Sequence, residues 1–339
     1  MFRDHLKRIV EGVHLDESQM TEVMTEIFSG NLTDAQIGAL MGALATKGET
    51  NEELAGAARA MRRKAYRIQS SAGIIVDTCG TGGDGASTFN ISTTTAFVVA
   101  GCGITVAKHG NRSVSSKCGS ADVLEALGVR LDVDPELVEE AVEDIGIGFL
   151  FAPLYHSAMR FAAPARKEVG LRSIFNMLGP LTNPAGANCQ IIGVYAPELT
   201  EMFAHTLRLL GSRQAYVVHG HDGLDEISVC APTRISELKD GQVRTFNLNP
   251  EDYFSTMADP GDLVGGDPAT NADITRRILD GEPGPRRNVV LLNTAAALTA
   301  AGKATDFADG LKLAGQAIDN GAAREKLAAL AAFTQEHAP

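Results

Sequence analysis

The chain has 339 residues, 44% of them hydrophobic, and a mean hydropathy of −0.01, which is enough apolar material for a substantial core and unlike a disordered polymer. Its 42 acidic and 30 basic residues leave a net charge of −12, which argues against a surface built for general nucleic-acid or membrane binding but permits a local basic cleft. The five cysteines (Cys79, Cys102, Cys118, Cys189 and Cys230) include no C-x-x-C pair and read as reduced packing thiols, neither a disulfide framework nor a zinc site.

The start, Met1-Phe-Arg-Asp-His-Leu-Lys7, is a charged amphipathic stretch unlike a signal peptide, and no apolar run approaches the roughly 18 residues a membrane span needs. A cytoplasmic protein is expected. Up to about residue 68 the apolar spacing is helical: Leu6, Ile9 and Val10 share one face, Met20, Val23, Met24 and Ile27 another, and Ile37, Leu40, Met41 and Leu44 a third. Gly30-Asn31, Gly48 and Thr50-Asn51 supply stops and caps. From Ile74 the grammar changes to strands alternating with helices. Strand-like runs fall at 74–76, 104–107, 147–151, 190–195, 215–219 and 226–230, with helices at 122–127, 135–145 and 197–210, a hairpin around Asp240-Gly241, and an alanine-rich helical tail from Ala269. The expected fold is α/β: a small N-terminal helical domain, residues 1–70, completed by a helical segment near 160–185, and a larger domain, 71–339, whose largely parallel central sheet is flanked by helices.

Asp77-Thr-Cys-Gly-Thr-Gly-Gly-Asp-Gly-Ala-Ser-Thr-Phe-Asn90 joins a strand to a hydroxyl-rich helix start, Ile91-Ser-Thr93. Glycines let backbone N–H groups approach a ligand, and a helix N-terminus adds unpaired donors, so the layout suits an anion. It fits neither nucleotide signature. Gly80-x-Gly82-x-x-Gly85 lacks the acidic residue about 20 positions on, and Gly80-x4-Gly85 has Ala86-Ser87 where a Walker loop needs Lys-Ser/Thr. A mobile surface loop is the alternative. Against it, no Asp or Glu occurs from Gly85 to Ala121, while Lys108, His109, Arg112 and Lys117 do.

Lys108-His-Gly-Asn-Arg-Ser-Val-Ser-Ser-Lys-Cys-Gly-Ser120 runs from a strand end into hydroxyls before a helix, which suits a phosphosugar, with Lys108 and Ser120 on phosphate oxygens. The alternative is a solvated loop whose serines cap the next helix. In His219-Gly-His-Asp-Gly-Leu-Asp-Glu226, adjacent carboxylates on a glycine-rich turn suit magnesium; the two histidines leave zinc or another transition metal open, as does a plain solvated turn. Arg166, amid prolines and apolar residues, reads either as a carboxylate clamp or as an exposed helical arginine. Gly265-Gly-Asp267 echoes Gly82-Gly-Asp84 but follows no strand, so it reads as a loop.

Together, 77–84, Phe89-Asn-Ile-Ser-Thr93, Val106-Ala-Lys-His-Gly-Asn-Arg112, Gly119-Ser-Ala-Asp122, Ile174-Phe-Asn-Met-Leu-Gly-Pro-Leu-Thr-Asn-Pro184 and Gly223-Leu-Asp-Glu226 closely resemble the anthranilate phosphoribosyltransferase family of tryptophan biosynthesis. The resemblance runs in one order from the helical start to about Asn293. It implies a nucleoside phosphorylase-like fold, a homodimer joined through the helical domains, and magnesium-dependent transfer of phosphoribose from phosphoribosyl pyrophosphate to anthranilate. Carried over, Gly80, Gly83, Asp84, Thr88, Asn90, Ser92, Thr93, Lys108 and Ser120 belong to the phosphoribosyl pyrophosphate site. Gly82, Ile91, Gly110, Asn111, Arg112, Ser113, Val114, Ser115 and Ser116 complete the substrate-lining loops. Ser92, Asp225 and Glu226 match the magnesium positions, and Gly80, His109, Asn111 and Arg166 the anthranilate side. The catalytic set is then Lys108, His109, Asp225 and Glu226. Ser157, Ser173 and Thr294 depart from common family neighbours without touching these positions. No nucleic-acid or membrane partner is expected. A pyrimidine nucleoside phosphorylase and a non-catalytic nucleic-acid-binding relative are the alternatives.

Overall fold

The computed structural model describes residues 1–113 and 117–337. Four helices come first, α1 Phe2–Val10, α2 Glu17–Phe28, α3 Asp34–Lys47 and α4 Asn51–Lys64. Then follow β1 Ile75–Gly80, α5 Ile91–Gly101, β2 Thr105–Gly110, α6 Ser120–Ala126, α7 Pro135–Asp144 and β3 Ile147–Phe151. A helical excursion, α8 Ala152–Tyr155, α9 Ala163–Val169 and α10 Ile174–Leu178, returns the chain to β4 Cys189–Gly193, α11 Leu199–Leu209 and β5 Gln214–Gly220. The hairpin β6 Thr233–Lys239 and β7 Gln242–Leu248 precedes α12 Pro268–Leu279, α13 Pro285–Ala300, α14 Phe307–Asp319 and α15 Ala322–Glu336.

The strands form one sheet in the order β3-β2-β1-β4-β5-β6-β7. The first five are parallel and the last two antiparallel. Strand order reverses between β1 and β4, which are hydrogen-bonded neighbours, and a crevice opens beyond the carboxyl ends of strands at such a switch point. The strand expected at 226–230 does not form. Side chains satisfy its backbone instead: Ile227 N–H donates to Asn293 Oδ1, Ser228 N–H to Thr233 Oγ1, and Cys230 N–H to Ser228 Oγ.

Apolar periodicity places the two faces. Met20, Val23, Met24, Ile27, Ile37, Leu40, Met41 and Leu44 are all buried, and share a core with Phe175, Leu178, Phe203 and one sheet face at Ile192, Val194 and Val217. Val10, expected on the buried side of α1, is exposed. The opposite sheet face packs under α5 and α12–α15, through Phe97, Val98, Leu292 and Ala296.

One charged pair fastens the helical bundle. Thr50, not Asn51, caps α4, accepting from Glu53 N–H. Glu53 has no exposed surface; its carboxylate accepts from Leu15 N–H (2.9 Å), Thr50 N–H (3.0 Å) and the Lys47 ammonium (2.8 Å). Removing that carboxylate strands a buried cation and two backbone donors. Glu53→Ala is therefore expected to cost about 3–5 kcal/mol, read as a lower urea midpoint at unchanged slope.

Candidate active site

The carboxyl ends of β1, β2, β4 and β5 gather the candidate residues. After β1, the glycine loop turns through Gly82 and Gly83, both at positive φ, and enters α5. After β5, a tight turn closed by Gly220 N–H on Leu224 O carries Asp225 and Glu226. The two segments are joined through these carboxylates. Asp225 Oδ2 accepts from Gly82 N–H (3.0 Å), and Glu226 Oε1 accepts from Ser92 N–H (3.0 Å) in the first turn of α5.

Close approach makes this possible. A Cβ on Gly193, at the end of β4, would lie 1.5 Å from the Asp225 carbonyl oxygen, and one on Gly80 would lie 2.4 Å from Asp225 Oδ2. Behind the turn, Asn293 on α13 clamps Ile227: its oxygen accepts the Ile227 N–H and its amide nitrogen donates to Ile227 O and to Val289 O. Neither Gly193 nor Asn293 is assigned a role by the sequence. Their partners lie far away in the chain, so no local pattern marks them.

Charge is concentrated here. Burial, and then the neighbouring Asp84 carboxylate, push the Asp225 carboxyl up to about 7; burial, and then Asp225, push Glu226 up to about 8. A divalent cation against these oxygens would relieve that repulsion. Among the described residues, no group of three or more His, Cys, Asp or Glu side chains is arranged to hold a metal alone. The paired carboxylates of Asp225 and Glu226 fit a hard cation that takes one or two carboxylates plus ligand oxygens.

Lys108 is inside the molecule, 3% exposed, where its ammonium donates to Thr78 O and reaches Ser92 Oγ at 3.4 Å. Its charge lies behind Ser92 and beside Asp77 and Glu226. Asp77 is fully buried and fixes the end of β2, accepting from His109 N–H (3.1 Å) and from the Asn183 amide (2.8 Å), which also donates to Ala107 O.

Other expected residues divide. Ser120 Oγ accepts from Asn111 N–H and donates to Asn111 O, both at 3.2 Å, which sets the turn after β2. Thr88 bridges Val264 and Gly265 N–H donates to Ser87 O, so the second glycine pair is a loop that braces the first. Asn90 is held by Asn271, whose amide donates to Asn90 Oδ1 at 2.9 Å. Ile91 lies in the core, and Thr93 is 1% exposed. Arg112, expected to meet a polyanion, is bound to Asp122 and by a fork to Glu125, the carboxylates that resume just past the acid-free window. Val114, Ser115 and Ser116 lie outside the described residues.

Near the end of β2, the buried His109 and His156 rings meet, Nε2 to Nε2 at 3.2 Å. His109 Nδ1 lies 3.0 Å from Gly179 O, a group that only accepts, so Nδ1 carries the proton and Nε2 accepts from His156. Burial, with His156 adding to it, lowers His109 to about 3, and burial lowers His156 to about 4. Arg166 on α9 is half-buried over the Phe175 ring (5.7 Å to its centroid); burial lowers its pKa, and among the described residues no carboxylate pairs with it.

The two rings are neutral when folded and titrate near 6.5 when unfolded. Their stabilising contribution is full above pH 6.5 and is lost as pH falls towards their folded values, at about 1.4 kcal/mol per pH unit for each ring. Asp225 and Glu226, whose folded values are raised, take up protons over the same range with the opposite sign, so the histidine effect is read as a difference between proteins: the stability of the wild type relative to His156→Asn, from urea midpoints, is expected to fall between pH 7 and about 5 by up to about 1.4 kcal/mol per pH unit.

Models of the glycosyl transferase family match this chain twice: the helical bundle domain at residues 3–65 and the a/b domain at 72–324. An anthranilate phosphoribosyltransferase of Syntrophobacter fumaroxidans is 69% identical over 99% of this chain and 100% of its own length. The crystal structure of anthranilate phosphoribosyltransferase from Thermus thermophilus superposes with a TM-score of 0.92 at 42% identity, covering 97% of this chain and 99% of that one. The Saccharomyces cerevisiae enzyme in complex with PRPP and Mg gives 0.90 at 27% identity, covering 99% and 98%.

Proposed function

The chain belongs to the anthranilate phosphoribosyltransferase family, and from that membership we infer that it transfers the phosphoribosyl group of 5-phosphoribosyl 1-pyrophosphate to the amine of anthranilate. The observation that carries this reading to the residues is the wiring of Asp225 to the Gly82 N–H and of Glu226 to the first turn of α5, at the strand-order reversal. One carboxylate pair thus touches both the phosphate loop and the helix start.

The amine nitrogen bonds to the anomeric carbon as the carbon–oxygen bond to diphosphate breaks; the electron pair leaves with diphosphate, and the amine gives up a proton. Gly80 and Gly83 bring the backbone close to the diphosphate, the Gly82 N–H fixes Asp225, and Asp84, Asn90 and Ser92 line the same end. Asp225, Glu226 and the Ser92 hydroxyl would hold Mg2+, which when bound would supply positive charge against the leaving diphosphate. Lys108, fixed by Thr78 O, adds a positive charge from behind Ser92. Arg166, with no carboxylate of its own, takes that of anthranilate through its planar fork. His109 stays uncharged at neutral pH, so it meets the aromatic amine without protonating it. An aryl amine held in line needs little base assistance, and positioning of this kind is worth about 7–11 kcal/mol.

Met1, Val10 and Val13 leave an apolar surface exposed on and after α1, which supports a homodimer joined through the helical domains. Among the described residues no helix is long and apolar enough to cross a membrane. The site chemistry calls for small, anionic substrates.

The test is loss of anthranilate fluorescence with phosphoribosyl pyrophosphate and magnesium, alongside pyrophosphate release. Arg166→Ala is expected to raise the anthranilate KM by about 10- to 100-fold, with that for phosphoribosyl pyrophosphate nearly unchanged. Asp225→Asn with Glu226→Gln should abolish the metal-dependent step. Equal, mild losses in both variants, or phosphorolysis of pyrimidine nucleosides in place of anthranilate use, would refute this assignment.

A further inference from the structure

Arg172 lies on the turn between α9 and α10, exposed, and among the described residues it pairs with no carboxylate. Its guanidinium stands 3.9 Å from the centroid of the Tyr195 ring, and its Nη2 donates to Gly83 O at 3.0 Å. The planar head is thus stacked on one segment and bonded to another.

These contacts close a circuit. Tyr195 N–H donates to Thr81 Oγ1 (3.2 Å), and Thr81 N–H donates to Gly193 O (2.9 Å), so the extension of β4 holds the start of the glycine loop. Arg172 holds its middle. Gly83 sits at φ +79, and a Cβ there would lie 2.9 Å from Arg172 Nη2, so a side chain at residue 83 would push the guanidinium aside. Ordering a backbone residue costs conformational entropy, and glycine more than most, so a tether made before the ligand arrives lowers what binding must supply. The tether comes from the segment that carries Arg166, with Gly170 at φ +63 ending α9 between them.

We propose that Arg172 is a positioning residue: stacked on Tyr195, it holds the Gly83 carbonyl, presets the glycine loop for the diphosphate, and joins that loop to the segment bearing Arg166. This rests on the reading of the glycine loop as the phosphoribosyl pyrophosphate site. Both contacts lie on exposed or half-buried side chains, so variants retain the core.

A double-mutant cycle tests it, with steady-state kinetics and calorimetric titration of phosphoribosyl pyrophosphate plus magnesium. Arg172→Ala is expected to raise the KM and the Kd for phosphoribosyl pyrophosphate about tenfold while kcat changes by less than about twofold. Arg172→Lys keeps a donor but loses the planar stack, and recovers part of the loss. Tyr195→Leu should weaken the same substrate several-fold and Tyr195→Phe hardly at all. The Arg172→Ala/Tyr195→Leu double variant should match Arg172→Ala alone, because both changes break one circuit. Single effects that multiply would overturn the proposal, since they would mean that the guanidinium meets the diphosphate independently of Tyr195. Wild-type kinetics in Arg172→Ala would overturn it as well. Failure of the wild-type protein to consume anthranilate would instead overturn the reading of the site.

Discussion

The backbone of the acidic turn runs against the end of β4 at a distance that excludes any side chain at position 193. Every other feature of the site follows from that approach. Because the Asp225 carbonyl occupies the place of a Cβ on Gly193, the Asp225 carboxylate reaches the glycine loop after β1, and Glu226 reaches the first turn of α5. Strands β1, β4 and β5 are adjacent in the sheet, so three loops distant in sequence share one crevice.

The site is costly in electrostatic terms, and the surrounding scaffold carries that cost. Asp77, Lys108 and Glu226 are buried and Asp225 is half-buried beside them, and loss of hydration shifts each towards its neutral form. What keeps them in place is hydrogen bonding from elsewhere: Asn183 on Asp77, Thr78 O on Lys108, Asn293 behind the acidic turn, Asn271 on Asn90. Neutral amides suit this role because they satisfy donors and acceptors at once without adding charge to a site already short of compensation.

Much of the fold could be read directly. Helical spacing in the first 64 residues, alternation of strands and helices, and the Asp240-Gly241 hairpin each depend on neighbours within a few positions, and each appears in the structure. The exceptions are instructive. Residues 226–230 have strand composition but no strand partner, since Asn293, Thr233 and Ser228 side chains take their N–H groups. In the acid-free window, Arg112 pairs with Asp122 and Glu125, both just beyond the window's edge. Alternation along β2 carries the Lys108 side chain inward to Thr78 and Ser92, a burial that a cation at a strand end does not announce.

Local order therefore determined the elements, the glycine loop, the acidic pair and the family they resemble, because turn chemistry and apolar period act over a few residues. Which charges face the crevice, which are buried behind it, and which distant amides hold them was decided when the sheet assembled. Pairing β1 with β4 brings residues more than a hundred positions apart into contact, and contacts of that separation leave no pattern that a reading along the chain can detect.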